Sequence, residues 1–290
     1  FNTCCTVNPR VYRENRVPLT LPRAQTARSV VVVGGGPAGL KAALTAAQRG
    51  HQVTLVEQSG ALGGLMIPAS VGAFKEDLRR YLSYLRRQVE KSQIHVMLHT
   101  RADRALLEHL HPDAVILAVG GRAVMPPVPG LGTSGAVQAV ALLNAGLETA
   151  GTRVTILGGG SIGCELALEL AALDRMVTVV ELRDKLAANG NELYRQDLML
   201  HLEQETRITI LTQTVCTGVT AQGCTVREKD GGTRVIPHDT FVIAAGLRAD
   251  ADAVEALYGV VPETYYVGDC KRAASITEAT TEAYFLGASL

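Results

Sequence analysis

Two stretches of this chain are nearly the same sentence. VVVVGGGPAGLKAALTAAQRGHQVTLVEQ starts at Val30 and VTILGGGSIGCELALELAALDRMVTVVEL at Val154, a constant offset of 124 residues. Of thirty positions aligned from Ser29 and Arg153, twelve are identical, among them four glycines and the closing glutamate. A repeat this local is one supersecondary unit used twice rather than a solenoid. Each copy reads as an apolar strand, a glycine turn, an Ala/Leu-rich helix and a second apolar strand, the pattern of a βαβ unit with parallel strands. Aromatic residues are 4% of the chain and Trp is absent, so its core must be Val, Ile, Leu and Ala, as in a parallel sheet covered by helices.

Each copy carries G-x-G-x-x-G between strand and helix: Gly34, Gly36, Gly39, and then Gly158, Gly160, Gly163. Glycine there permits a tight turn, close approach of a pyrophosphate and close helix–strand packing, while the helix N-terminus offers free N–H groups and the positive end of its dipole. Pro37, Ala38, Ser161 and Ile162 fill the loop positions between the glycines. Glu57 and Glu181 close the second strands, where a carboxylate accepts hydrogen bonds from an adenosine ribose; Gln58 and Leu182 follow them. A generic glycine turn explains one such motif, but the flanking strand, helix and acid, written twice, point to two dinucleotides. A flavin in one unit and a nicotinamide in the other would bring a hydride donor to its acceptor.

Around these units lie further elements. Residues 1–27 read as an extended lead-in, and the chain begins with Phe1 rather than Met. ALGG (61–64), followed by Leu65, reads either as a surface turn or as backbone beside a flavin's pyrophosphate and ring, carried by Gly63 and Gly64. Phe74–Lys91 has helical spacing of Phe, Leu, Tyr and Val. AVILAVGGRAV (114–124), a short buried strand ending in glycines, is echoed by TFVIAAGLRAD (240–250), which makes Ala118, Val119, Gly120 and Ala245, Gly246 candidate cofactor contacts. In YYVGDC, Gly268 and Asp269 follow a strand; Asp269 is a turn residue or a ligand for a ribitol hydroxyl. Ser275 and Glu278 have capping-box spacing, so the last helix starts at Ile276, its positive end available to a reduced flavin ring. Glu165 sits in the first part of the second repeat's helix, as a capping residue or as a contact to the nicotinamide amide or flavin edge. No catalytic acid or base is assigned, because hydride transfer between two rings needs alignment more than proton donors.

Other classes are excluded. Lys plus Arg equals Asp plus Glu at 28 each, which argues against nucleic acid or an anionic membrane as partner. Gly, Pro and charges interrupt every apolar run before it reaches the length of a membrane span. The cysteines at 4, 5, 164, 216, 224 and 270 show neither CxxC nor zinc-ligand spacing, which suits free thiols in a reducing, cytoplasmic setting. Disulfide reduction is disfavoured, since the stretch after the glycine pair reads GGLMIPAS, without cysteine.

The double fingerprint, ALGG, AVILAVGG, PPVPG, GGGSIGCELALELA and YYVGDC together resemble the two-dinucleotide-binding flavoprotein reductases, and CCTVNPR (4–10) narrows the resemblance to the family of 2,4-dienoyl-CoA reductase, enoate reductases and trimethylamine dehydrogenase. That resemblance covers essentially the whole chain. It implies FAD and NAD(H), or NADP(H), here, and an N-terminal barrel carrying FMN and a 4Fe-4S cluster elsewhere in a longer protein. It also implies Cys5 as the last cluster ligand. The barrel and the other cluster cysteines are absent from this chain, so it is expected to bind neither cluster nor FMN by itself and to be a C-terminal fragment or a subunit. The expected architecture is α/β: two Rossmann-like three-layer domains, a flavin domain (28–131 and 248–290) interrupted by a nicotinamide domain (132–247). The expected function is hydride transfer from NADH to FAD and onward to a barrel that reduces an enoyl-type substrate. Alternatives are a stand-alone or subunit electron-transfer reductase and a non-catalytic dinucleotide sensor.

Overall fold

The computed structural model describes residues 4–188 and 190–290, so the first three residues of the lead-in and Asn189 lie outside the described residues. From Ser29 the chain forms β1 (Ser29–Val33), α1 (Pro37–Gln48), β2 (Gln52–Val56), α2 (Met66–Ala69), α3 (Glu76–Glu90), β3 (His95–Met97), α4 (Arg104–Leu110), β4 (Ala114–Leu117) and β5 (Gly121–Ala123). It continues through β6 (Val137–Gln138), α5 (Ala139–Ala145), β7 (Arg153–Leu157), α6 (Ser161–Ala172), β8 (Met176–Val180), α7 (Glu192–Gln204), β9 (Ile208–Leu211), β10 (Val215–Val219), β11 (Gly223–Arg227), β12 (Thr233–Pro237) and β13 (Thr240–Ile243). It closes with β14 (Leu247–Ala249), α8 (Ala251–Glu255), β15 (Thr264–Tyr266) and α9 (Ile276–Ser289). These elements form two compact units, one running to Ser70 and comprising also Phe74–Arg122 and Arg248–Leu290, the other made of Val71–Ala73 and Ala123–Leu247.

The first unit is a parallel sheet in the order β15-β4-β1-β2-β3. Its central strand reads SVVVV because both faces are covered. Val30 and Val32 pack with Leu40, Leu85 and Ala283 on the side of α1, α3 and α9. Val31 and Val33 face Leu107, Leu257 and Val261 on the other. Helix α9 starts with the capping box anticipated from Ser275 and Glu278: each side chain satisfies the other's backbone N–H.

The second unit repeats the sheet, in the order β6-β13-β7-β8-β9 and again parallel. Helices α5, α6 and α7 cover one face through Leu142, Leu166, Leu170 and Leu198. The other face carries the antiparallel sheet β10-β11-β12, whose Val219, Val226 and Ile236 pack with Val180, Phe241 and Ile243. This antiparallel sheet is the third layer of the unit. Among the described residues, no helix is long and apolar enough to cross a membrane.

Candidate functional site

Each unit presents a glycine loop at the C-terminal end of its central strands. Gly34 (φ +106) and Gly158 (φ +113) turn the chain out of β1 and β7 in the left-handed region, where a Cβ would also overlap the carbonyl oxygens of Ala118 and Ala244. The Gly34 N–H donates to Val56 O at 2.8 Å and the Gly158 N–H to Val180 O at 2.9 Å, so the two loops are tied down alike. A Cβ at Gly39 or Gly163 would overlap the carbonyl oxygen of Gly34 or Gly158, which lets α1 and α6 start directly against the turn.

The middle glycines obey a different constraint. Gly36 (φ −73, ψ −178) and Gly160 (φ −67, ψ 178) have extended backbone open to any residue. Among the described residues the nearest atom to a Cβ at Gly36 is 4.0 Å away, and at Gly160 nothing lies within 4 Å. The chain itself has room for a side chain at both positions. Each is an N-cap without a side-chain hydrogen bond, so the first N–H groups of α1 and α6 take no side-chain oxygen there. A bare backbone, open N–H donors and a helix dipole form a cradle that fits a pyrophosphate.

The acids close each loop from the neighbouring strand. Glu57 Oε2 accepts from the Gly35 N–H at 2.6 Å and Oε1 from the Ser59 N–H at 2.7 Å. Glu181 does the same with Gly159 (2.6 Å) and Arg183 (2.8 Å). A carboxylate has about four acceptor positions, so each acid retains capacity for sugar hydroxyls. Gln58 and Leu182, next in sequence, are exposed.

Sequence reasoning missed the turn beside each acid. The His99 and Thr100 N–H groups donate to Ser59 O (3.0 Å) and Glu57 O (2.9 Å), and those of Gln213 and Thr214 to Arg183 O (2.9 Å) and Glu181 O (3.0 Å). His99 (φ 52) and Gln213 (φ 51) are both left-handed without being glycine, so no residue type flags them. The repeat also extends past the acids. ALGG aligns with Lys185–Ala188, and Gly63 and Ala187 donate their N–H groups to Gly35 O (2.7 Å) and Gly159 O (2.8 Å). The copies then differ: a Cβ on Gly64 would stand 2.9 Å from Gly36 Cα, so that segment lies over the first loop, whereas Gly160 is exposed among the described residues.

The remaining candidates divide into those gathered at a loop and those lying apart. Ala118 and Val119 follow β4 beside Gly34, with Gly120 next in sequence, and Ala245 follows β13 beside Gly158, with Gly246 next. Gly268 (φ +73) meets α1, since its Cβ would be 2.9 Å from that of Ala38, and this brings Asp269 to the first loop. Asp269 accepts from the Ala274 N–H at 3.2 Å, and burial pushes its carboxyl above the ordinary range. Leu65 caps α2 and Ile276 opens α9. In the second unit Ser161 opens α6, Ile162 is 37% exposed at the loop, and Glu165 accepts a hydrogen bond from the Tyr194 hydroxyl of α7. Burial, with Glu181 and Glu165 nearby, pushes the Cys164 thiol up to about 12, which keeps it protonated and unreactive.

Cys5 lies in the lead-in before β1. Its sulfur accepts from the Asn8 N–H at 3.5 Å, and its neighbour Thr6 is tied to α9 through Thr277 (2.5 Å) and Thr280 (2.9 Å to Thr6 O). Among the described residues no three His, Cys, Asp or Glu side chains are grouped to hold a metal ion.

The chain is 34% identical over 266 residues to a bilirubin reductase of Mediterraneibacter gnavus, covering 91% of this chain and 41% of that protein. It is 35% identical over 247 residues to an NADH oxidase of Thermoanaerobacter brockii, covering 83% and 37%. The chain thus spans well under half the length of these relatives. It superposes on a 2-naphthoyl-CoA reductase in complex with 2-naphthoyl-CoA with a TM-score of 0.93 and 26% identity, over 99% of this chain and 43% of that one. The family model for pyridine nucleotide-disulphide oxidoreductases matches residues 28–283, a span that takes in both glycine loops and both acids. The chain belongs to that family of oxidoreductases, whose members are flavoproteins that bind FAD and NAD(P)H.

Proposed function

We propose that this chain is the NADH-oxidising, FAD-containing part of a larger reductase. In this reading FAD occupies the loop of Gly34, Gly36 and Gly39 with Glu57, Gly63–Leu65, Ala118–Gly120 and Asp269. The nicotinamide dinucleotide occupies the loop of Gly158, Gly160 and Gly163 with Glu181. FAD, when bound, takes a hydride from the nicotinamide and passes electrons on singly or in pairs. The single observation that carries the reading is the pair Gly36 and Gly160, bare where the protein has room for a side chain.

The chain's own residues bind and orient. Glu57 and Glu181 fix the ribose ends, and the first N–H groups of α1 and α6 receive the pyrophosphates. The segment over Gly36 covers the first loop, which suits a resident cofactor, and the open Gly160 suits one that exchanges. Electrons leave toward an N-terminal barrel with FMN and a 4Fe-4S cluster that Cys5 would help to hold. The reductases of bilirubin and 2-naphthoyl-CoA among its relatives support a conjugated, enoyl-type final substrate. Buried free thiols at Cys164, Cys216, Cys224 and Cys270 favour a reducing, cytoplasmic setting.

The test is acceptor choice. The purified chain loaded with FAD is expected to reduce ferricyanide or a quinone dye with NADH and to leave an enoyl thioester untouched. Robust enoyl reduction would overturn the relay to a separate barrel, and absence of any dye reduction would favour a dinucleotide sensor.

A further inference from the structure

The turn at His99 carries a ring that its backbone does not require. His99 follows β3 with φ 52, in the left-handed region that Asn, Asp and His enter more readily than other non-glycine residues. Asparagine would serve such a turn as well, and the corresponding residue of the second unit is Gln213 (φ 51), which has no ring. The Cε1–Nε2 side of the imidazole abuts Gly60: a Cβ there would stand 2.5 Å from Cε1 and 2.9 Å from Nε2. Gly60 is not itself left-handed, so it is the ring, not its own backbone, that excludes a side chain. The position 124 residues further on is Asp184. Ring and bare glycine thus occur together in the first copy, and both are missing from the second.

Hydrogen bonds place the ring next to the acid of the first loop. The Glu57 carboxylate accepts from the Ser59 N–H at 2.7 Å, and the Ser59 carbonyl accepts from the His99 N–H at 3.0 Å, so a single residue joins the two. The Thr100 N–H to Glu57 O (2.9 Å) and the Glu57 N–H to Met97 O (2.9 Å) fix the same turn. His99 is exposed, so a flat ring is offered beside Glu57 and next to Gly60.

We propose that the His99 ring is the stacking wall for the adenine of the dinucleotide held by the first loop. This rests on FAD, rather than the nicotinamide dinucleotide, occupying that loop. Adenine is one glycosidic bond from its ribose, so a base whose sugar hydroxyls meet Glu57 lies against the turn formed by residues 58–60 and 99–100. A planar side chain there stacks on the face of the purine and needs none of its hydrogen-bonding edge. Gln213 offers the second dinucleotide an amide in place of a ring. The difference matches a resident cofactor in the first unit and an exchanging one in the second.

The experiment measures FAD binding to the flavin-free chain by flavin fluorescence in the wild type, His99→Asn and His99→Tyr. Asn keeps a residue suited to the left-handed turn and removes the ring, whereas Tyr keeps a ring and suits the turn less well. Stacking predicts that Tyr binds like the wild type and Asn roughly ten- to a hundredfold more weakly, the usual effect of removing an aromatic partner from a base. A residue that only shapes the turn gives the reverse order, with Asn at wild-type affinity and Tyr weakened. That reverse order, or equal FAD and NADH affinities in all three proteins, would overturn the proposal. The Tyr arm stays decisive even where Asn lowers the thermal midpoint, because Tyr cannot repair a turn that Asn fails to make. NADH titrated into the same proteins separates this inference from the cofactor placement beneath it. Weaker FAD and unchanged NADH in His99→Asn support both. If NADH weakens and FAD does not, the ring still stacks on an adenine and it is the placement of FAD in the first loop that fails.

Discussion

Gly36 and Gly39 are the same residue type under opposite constraints. A methyl group at Gly39 collides with the Gly34 carbonyl, whereas at Gly36 it meets nothing closer than 4.0 Å. Gly39→Ala is therefore expected to destabilise the flavin-free protein by about 1–3 kcal/mol, the usual cost of overpacking, visible as a thermal midpoint lower by several degrees. Gly36→Ala should leave the flavin-free midpoint unchanged and weaken FAD on the order of tenfold, read as flavin retained through gel filtration. Equal midpoints for the two variants, or full flavin retention in Gly36→Ala, would contradict the cradle. The acid of the second loop makes a separate prediction. Glu181 is fixed by the Gly159 and Arg183 N–H groups, so its charge stays at the sugar edge. Like charges near 4 Å cost on the order of 4 kcal/mol at an effective dielectric of about 20. If 1–3 kcal/mol survives screening, NADH is preferred over NADPH by roughly ten- to a hundredfold. The kcat/KM ratio with a dye acceptor should favour NADH in the wild type and move toward unity in Glu181→Ala. An unchanged ratio would show that Arg183, exposed two residues on, or another group selects the cofactor.

At the scale of elements, the βαβ units were legible because glycine spacing, strand hydrophobicity and the closing acid all repeat. The turns at His99 and Gln213 were not. Their left-handed backbone is held by N–H bonds to the residues after β2 and β8, and nothing in the residue types announces it. The Glu165–Tyr194 pair was hidden for another reason: its members are far apart in sequence and meet only because α7 returns along α6. The antiparallel layer also contains a buried titratable group that composition does not reveal. His238, just after β12, is 3% exposed, with Nε2 against Thr220 O at 3.2 Å and Nδ1 buried without a partner. Burial holds its imidazole below the ordinary range. The unfolded chain therefore takes up this proton first as pH falls through about 6.5. The stability this histidine contributes is complete above that pH and is lost as pH falls toward the folded value. Denaturant titrations between neutral and mildly acidic pH should show His238→Gln losing less stability than the wild type over that interval. Parallel slopes in the two proteins would rule out His238 as a contributor.

At the scale of the whole molecule, the chain joins two versions of one unit that differ outside the shared loop. The first adds α9 and a segment lying over Gly36, and the second adds an antiparallel layer and leaves Gly160 open. The relatives are more than twice as long as the part matched here. The pairing of the two units was readable in outline from the doubled fingerprint, and the echo of strand 114–117 in 240–243 extended it. The final substrate was not readable, because the glycine loops and closing acids that stand out in this sequence concern dinucleotides. The account stands on hydride passing from a nicotinamide at the second loop to a flavin at the first. Its most direct test is an anaerobic titration of the FAD-loaded chain with NADH, followed by the flavin's visible absorbance. The account predicts stoichiometric bleaching in the wild type and, in Gly160→Val, bleaching only at much higher NADH with flavin content unchanged. A yellow protein that binds NADH and does not bleach would contradict it.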